Sequence, residues 1–302
     1  MQIPLFLFGF ISLYSIASSS DTIIVFPSSD NQLKLQQKWW WWSSQRHIFT
    51  GTNTTGISGS RNDKENPPGK VEILNCTFEK IGNGVINRFT KLSIVGVIVI
   101  QAQWFSIELL GLIADQGITV HDIFILDSGN GLIIHEIVGP FIFWNIFCHD
   151  NENGGLIIFD TLSGPLVITE STFDNNRIAN VFISNSYSVV VLNSWIRNAR
   201  PKSDDTYGDG FVAMKNKEPI ELHTSNVYDN YRAGVSVWGG RLILIDDRLH
   251  GHKFDLNYET YDGIPGDFDG STGNVCSDYP PGNICAALSS RLAPPSPISP
   301  TH

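Results

Sequence analysis

Basic residues are scarce in this chain of 302 residues, where 20 Lys and Arg stand against 30 Asp and Glu and give a formal net charge of −10. A protein this acidic repels the phosphate backbone of nucleic acids unless its basic residues concentrate on one surface. Charged residues make up only 17% of the chain, whereas 42% of it is hydrophobic. Such a chain can bury a sizeable core, so the composition excludes a disordered acidic tail, and no nucleic-acid partner is expected.

Cysteine is also scarce, with four residues in the chain. Cys276 and Cys285 flank a turn-rich segment, residues 277–284, and can close a small disulfide loop in an oxidising compartment. Cys76 and Cys148 lie among apolar residues. This setting predicts two free thiols in the core.

Residues 1–19 begin with an apolar run followed by small residues, which is typical of a secretory signal peptide, although no Lys or Arg precedes the run. The run is too short to span a bilayer as an uncleaved anchor. A second apolar stretch, residues 92–113, is long enough to span one and carries a single charge, Glu108. That stretch also fits the repeat described next. We therefore expect no membrane span and interpret the protein as secreted or located at the cell surface.

The middle of the chain repeats. The same apolar template recurs at relative positions 0, 2, 5 and 7 in eight segments that start 21 to 31 residues apart. Alternation at 0 and 2, and again at 5 and 7, is the period of β-strands interrupted by a tight corner. The eight segments start at Val71, Leu92, Ile118, Phe141, Leu166, Val189, Ile220 and Leu242.

The second corner residue of each segment is mostly Asn, Asp or Gly, which tolerate a left-handed backbone and can hydrogen-bond along a stack. These residues are Asn75, Gly96, Asp122, Asn145, Glu170, Asn193, Thr224 and Asp246. A third alternating stretch, often opened by Gly, follows in most segments. The pattern predicts coils of three short strands that stack into three parallel sheets.

These coils resemble those of the right-handed parallel β-helix proteins of the pectin-lyase-like superfamily, which have a two-residue, Asn-rich corner. The resemblance covers residues 71–258 and implies an all-β fold, a right-handed single-stranded parallel β-helix solenoid of about eight coils. Residues 20–70 are interpreted as an N-terminal cap and polar segment, and residues 259–302 as a C-terminal loop and Pro-rich tail. The fold hosts lyases, hydrolases, epimerases, adhesins and phage spikes, so it implies little about function.

Enzymes of that superfamily act on the outer face of the Gly-opened sheet, where carboxylates hold Ca²⁺ and an Arg or Lys removes a proton beside a uronate carboxyl group. The central coils of this chain place no carboxylate at those outward positions, so such a site lacks its ligands. The face instead carries an apolar strip of Phe159, Phe182, Met214 and Trp238. We interpret the strip as a binding platform for a polysaccharide, a surface glycan or another chain. The alternative is a surface covered by a loop or by the tail.

Two polar segments are further candidates for chemistry. The long turn at residues 197–209 contains basic side chains that can neutralise an acidic sugar and carboxylates that can bind Ca²⁺. Its candidate residues are Arg197, Arg200, Lys202, Asp204, Asp205 and Asp209. Asp267 and Asp269 have the spacing of a calcium loop but lack its glycine. For either segment the alternative is a solvated polar loop.

Two functions therefore remain open. The missing carboxylates and the strip favour a non-catalytic β-helix protein that contacts carbohydrate or a partner. The alternative is a lyase or epimerase that acts on uronate polymers through the turn at 197–209, or a polysaccharide hydrolase. Calcium is the cofactor that the acidic segments suggest. His149 and Asp150 show no third partner in the sequence for a nucleophilic triad.

Overall fold

The computed structural model describes residues 47–60, 70–88, 91–113, 119–202 and 205–276, together with three short strands nearer the N-terminus. Those three strands form a small sheet of their own. All other strands belong to a parallel solenoid, and the described part of the chain contains no helix. The predicted all-β parallel fold is confirmed.

The solenoid has three sheets. In each coil, template positions 0 and 2 lie in the first sheet, positions 5 and 7 in the second, and the Gly-opened stretch in the third; some strands of the N-terminal coils pass through two sheets. The strands are β1 (Ser12–Tyr14), β2 (Val25–Phe26), β3 (Gln32–Leu35), β4 (His47–Ser60), β5 (Lys70–Leu74), β6 (Cys76–Arg88), β7 (Lys91–Ile100), β8 (Phe105–Leu110), β9 (Thr119–Leu126), β10 (Asn130–His135), β11 (Phe141–His149), β12 (Gly154–Phe159), β13 (Leu166–Thr169), β14 (Thr172–Asp174), β15 (Ala179–Ser184), β16 (Val189–Leu192), β17 (Trp195–Arg197), β18 (Asp209–Met214), β19 (Ile220–His223), β20 (Asn226–Tyr228), β21 (Ala233–Trp238), β22 (Gly240–Ile245), β23 (Arg248–His250), β24 (Phe254–Glu259), β25 (Gly266–Thr272) and β26 (Val275–Cys276).

The register that the template predicts is confirmed. Leu166, for example, pairs with Phe141 of the preceding coil and with Val189 of the next coil. All eight predicted corner residues have a left-handed backbone, with φ between 49° and 65°. At one of them, the Asn145 side-chain amide donates to Asp122 Oδ1 of the preceding coil at 2.5 Å, along the stack as predicted.

The core consists of the inward side chains of the three sheets. Phe78, Phe143 and Phe173 are fully buried there. Cys76 and Cys148 are buried free thiols, as predicted. Burial raises the pKa of Cys76 to about 11 and that of Cys148 to about 12, so both thiols stay protonated at neutral pH.

Template position 5 is the one template position that is polar in some coils. The polar side chains at this position form a column of hydrogen bonds inside the solenoid. The Oγ of Ser171 accepts from the backbone N–H of Ile146 at 3.1 Å, and the Oγ of Ser194 accepts from that of Ser171 at 3.3 Å. Ser225 and Asp247 repeat the contact in the next two coils. The column satisfies backbone donors at the corner, where the strands are interrupted.

The solenoid extends beyond the predicted residues 71–258 at both ends. At the N-terminal end, β4 pairs with β6 and stacks Phe49 on Phe78 with ring centroids 4.9 Å apart. At the C-terminal end, β25 and β26 place Phe268 and Cys276 on the core columns of β22 and β23. A register shift in β25 changes the spacing of the apolar residues, so this coil does not match the template.

The charge-poor residues 92–113 form β7 and β8 of the solenoid. Among the described residues, no helix is long and apolar enough to cross a membrane. The run of four Trp at residues 39–42 lies outside the described residues.

Candidate functional site

The apolar strip on the outer face of the third sheet is buried. Phe182 is 0% exposed, Met214 and Trp238 are each 2% exposed, and Phe159 is 8% exposed. The side chains leave the sheet on its outer side as predicted, and they belong to a second apolar cluster that is separate from the core. The prediction of an exposed binding platform is therefore wrong for all four residues.

Neighbouring side chains account for part of this burial. Outward side chains at one position of neighbouring parallel strands lie about 4.8 Å apart and contact one another along the solenoid axis. Phe182 is in register with Val212 in this way. Tyr207 and Tyr261 are partly buried and pack against the same cluster. These contacts favour the alternative that the apolar strip is a covered surface. The C-terminal tail that this alternative proposed as one possible cover, residues 277–302, lies outside the described residues.

The described residues of the turn at 197–209 do not form one calcium site. Asp209 turns towards the third sheet, where it is 0% exposed. Its Oδ1 accepts from Arg232 Nε at 2.8 Å and its Oδ2 accepts from Arg232 Nη2 at 2.5 Å. A carboxylate neutralised by a buried guanidinium is not available to Ca²⁺, so the predicted ligand set fails at Asp209. Asp205 is exposed at the turn, and Asp204 lies outside the described residues.

The other candidates are also engaged by side chains of the protein. Asp267 and Asp269 lie 3.9 and 2.5 Å from nitrogen atoms of Arg241. The ammonium group of Lys202 lies 5.5 Å from the centre of the Tyr207 ring. Within the described ranges, no group of three or more His, Cys, Asp or Glu side chains is arranged to hold a metal ion.

Arg197 and Arg200 turn the other way, towards the second sheet. Arg197 Nη2 lies 3.2 Å from Asp174 Oδ2, and Arg200 Nη2 lies 3.0 Å from Asp150 Oδ1. His149 lies against both carboxylates, with Nε2 2.9 Å from Asp150 Oδ2 and Nδ1 3.5 Å from Asp174 Oδ2. We call these five residues the charged cluster.

Strand pairing brings the charged cluster together. His149, Asp174 and Arg197 occupy the same outward position in the successive strands β11, β14 and β17. Tyr228 holds that position in β20, and its hydroxyl oxygen accepts from Arg197 Nη1 at 2.5 Å. The hydrogen bond with Tyr228 and the charge of Asp174 raise the pKa of Arg197. Position 8 of each repeat lies one beyond the positions that the apolar template uses. The sequence analysis therefore named His149 and Arg197 without aligning them with each other or with Asp174.

Corner residues hold the two carboxylates in place. Asn175 donates its side-chain amide to Asp150 Oδ1 at 2.7 Å, and Asn198 donates to Asp174 Oδ1 at 2.8 Å. Both asparagines have a left-handed backbone, which this residue type tolerates well. The carboxylates are thus oriented by amides as well as by guanidinium groups.

An aromatic column runs beside the charged cluster. Phe124, Phe147 and Trp195 share one outward position of the second sheet, with Thr172 between the last two. Trp195 is 48% exposed and Phe124 is 38% exposed. The rings of Phe124 and Phe147 lie 6.1 Å apart, and Trp195 meets the Tyr228 ring edge-on at 5.9 Å. We call the aromatic column and the charged cluster together the second-sheet face.

The second-sheet face offers two kinds of contact to a ligand. Its exposed rings present flat apolar surfaces, and its carboxylates and guanidinium groups present acceptors and donors of charge-assisted hydrogen bonds. Exposed aromatic surface of this kind commonly marks an interaction site.

Comparison with known proteins bears mainly on the fold. A family model described as a right-handed β-helix region matches residues 66–248. No curated protein matches the chain. Among solved structures, the catalytic domain of a GH87 α-1,3-glucanase variant in complex with tetrasaccharides is similar at 10% identity and a TM-score of 0.47, over 74% of this chain and 54% of that one. This likeness concerns the course of the backbone and carries no argument about ligands.

Proposed function

The chain belongs to the right-handed β-helix family, and we propose that it is a secreted or cell-surface member that binds carbohydrate on its second-sheet face without cleaving it. The observation that carries the proposal is the exposed Trp195 in an aromatic column beside oriented hydrogen-bonding side chains. Aromatic rings stack on the apolar faces of sugar rings. Carboxylate and guanidinium groups bind sugar hydroxyl groups, which donate and accept hydrogen bonds.

The contacts of the turn at residues 197–209 favour binding over lyase or epimerase chemistry. That chemistry needs an Arg or Lys that is free to act beside a uronate carboxyl group. Arg197 and Arg200 instead form ion pairs with Asp174 and Asp150. We expect no rise in unsaturated-uronate absorbance when the protein is incubated with polygalacturonate or alginate, with or without Ca²⁺. A Ca²⁺-dependent rise would replace the binding proposal with the lyase alternative.

Trp195→Ala tests the binding proposal directly. Affinity electrophoresis against a panel of polysaccharides would compare the wild type with this variant and with Trp104→Ala. Trp104 is a matched control, because it is 44% exposed but lies outside the second-sheet face. We expect Trp195→Ala to weaken binding about 3- to 10-fold, the effect of one aromatic contact, and Trp104→Ala to change it little. Equal binding by all three proteins would remove the site.

Export and the disulfide belong to the same proposal. Cys276 is buried in the last coil, and Cys285 lies outside the described residues. We expect protein from a secreting host to lack residues 1–19 and to carry the Cys276–Cys285 bond. Peptide mass spectrometry without reduction tests both expectations. An intact leader in the secreted protein, or alkylation of both cysteines, would contradict them.

A further inference from the structure

We infer that the second-sheet face takes a neutral polysaccharide, and not an acidic one, with the sugar chain lying along the solenoid axis. This inference rests on the proposed function and narrows the class of its ligand. It follows from the balance of charge on the face and from the direction of the aromatic column.

The charged cluster has no surplus of positive charge. Its two arginines, Arg197 and Arg200, are each matched by a carboxylate within 3.2 Å. An acidic polysaccharide would have to break an existing ion pair to reach either guanidinium group. It would then leave Asp174 or Asp150 beside its own carboxylate, and like charges at such distances repel.

The charges around the cluster do not change this balance. Arg248 adds one exposed cation to the face, and the corner residues Asp127 and Asp229 add two exposed anions. In the neighbouring turns, Arg177 is paired with Glu152 at 3.1 Å. The whole chain carries a formal charge of −10, which slows the approach of any polyanion.

A neutral sugar meets no such obstacle. Each of its hydroxyl groups both donates and accepts, so it can bridge the carboxylate and the guanidinium of one pair without charge repulsion. The half-exposed side chains of Asp150 and Arg200 leave room for such a contact.

The aromatic column sets the direction of the sugar chain. Phe124 and Trp195 hold one outward position three coils apart, which corresponds to about 14 Å along the solenoid axis. Several sugar units lying lengthwise could contact the column and the charged cluster beside it. A chain crossing the solenoid would meet the rings of one coil only.

The inference is tested with the full-length protein and matched polymers, namely a neutral glucan, mannan and xylan against polygalacturonate and alginate. We expect binding to at least one neutral polymer, with an affinity that changes less than about twofold when NaCl is raised to about 1 M. Affinity for its oligosaccharides should rise with length until the column is covered. No binding to the acidic polymers is expected.

Asp150→Asn sharpens the test by removing the partner of Arg200. Asn tolerates the left-handed backbone of this corner, as it does at Asn175. We expect the variant to acquire polygalacturonate binding that the wild type lacks, and to lose that binding again at about 1 M NaCl. Asp246→Asn is the matched control, because it removes the same charge at a left-handed corner on another edge of the solenoid. The control should gain no such binding.

The possible failures are distinguishable. Salt-sensitive binding of polygalacturonate by the wild type, as tight as that of any neutral polymer, would overturn the inference and leave the proposed function standing. The absence of binding to every polymer would overturn the proposed function and the inference together. Asp150→Asn that folds and gains no acidic ligand would show that the ion pair does not set the choice, and would also overturn the inference.

Discussion

The outer faces of the second and third sheets are built by the same repeat, yet they differ in exposure and chemistry. On the third sheet, Phe182 is 0% exposed in a cluster of apolar side chains. On the second sheet, Trp195 is 48% exposed and lies beside charged residues. Strand alternation determines on which side of a sheet a residue lies. Whether a side chain there is exposed to solvent depends on what packs over that side of the sheet. The alternation of residues along the strand does not encode this packing.

The two faces also hold their ion pairs differently. On the third sheet, Arg232 and Asp209 have side chains that are 9% and 0% exposed. On the second sheet, Arg200 and Asp150 are 33% and 36% exposed. A buried pair must be kept intact because an unmatched buried charge is costly, whereas a half-exposed pair is screened by water and can exchange partners. This difference makes the second sheet the better place for a ligand.

The largest expected effect is on the third-sheet face. Phe182→Ala removes a fully buried ring and should lower the free energy of unfolding by about 3–5 kcal/mol, as much as Phe143→Ala in the core. Trp195→Ala on the second sheet should cost less than about 1 kcal/mol. Denaturant unfolding of the three variants measures the contrast. A small loss for Phe182→Ala would mean that the third-sheet face is exposed in solution.

The next effect concerns the buried ion pair. Asp209→Asn removes the carboxylate that pairs with the buried guanidinium of Arg232 at 2.5 Å and should cost about 3 kcal/mol. Replacing both partners, in Asp209→Leu with Arg232→Met, should recover part of that loss, because neither member of the pair is then left as an unmatched buried charge. Chemical unfolding measures the free energy of unfolding of the wild type, the single variant and the double variant. A double variant no more stable than Asp209→Asn would show that the pair is not the cause.

The fold could be predicted because its determinants are local. Each coil repeats the apolar positions, and corner residues such as Asn75 and Asp122 prefer the left-handed backbone that the corner requires. The coil at β25 and β26 escaped prediction because a register shift near Asp269 breaks the spacing. The first strand of the solenoid, β4, escaped it because the sequence around Phe49 contains only the second half of the template.

The candidate site could be predicted only in part. The sequence indicated Arg197 and Arg200 as basic residues in a long turn. It did not indicate their ion-pair partners, Asp174 and Asp150, which belong to earlier coils. His149 meets a second carboxylate, that of Asp174, one coil further on, which adds no nucleophile to the pair of His149 and Asp150. Reading position 8 across the coils would have found the contact, since strand pairing aligns equivalent positions.

The inner side of the second sheet carries a titratable residue, Asp247, whose environment differs from that of the carboxylates on the outer side. Asp247 is fully buried at template position 5, and burial raises its pKa to about 8, although the N–H groups of Ser225 and Ile245 donate to it. The folded state thus holds a proton that the unfolded state releases near pH 4. The stability from this group is fully present below about pH 4 and is lost as the pH rises to about 8.

Asp247→Ser tests this contribution, because Ser occupies the same position in the preceding coils and does not titrate. Between pH 6 and pH 7 the wild type should lose about 1 kcal/mol more stability than the variant. Urea unfolding at both values provides the measurement. Identical pH dependence would show that Asp247 titrates in its ordinary range and that its two hydrogen bonds offset the burial.

The smallest expected effect is on the second-sheet face. Asp150→Asn removes the half-exposed ion pair with Arg200, and exposed pairs contribute only about 0.2–1 kcal/mol. The left-handed corner, with φ of 60°, suits Asn as well as Asp, so no backbone strain is added. We therefore expect the melting temperature to fall by no more than a few degrees. If the loss instead matched that of Asp209→Asn, the charged cluster would be a structural network like the buried pair. Its carboxylates would then be held by the fold, and the argument that they are placed to meet a sugar would lose its main support.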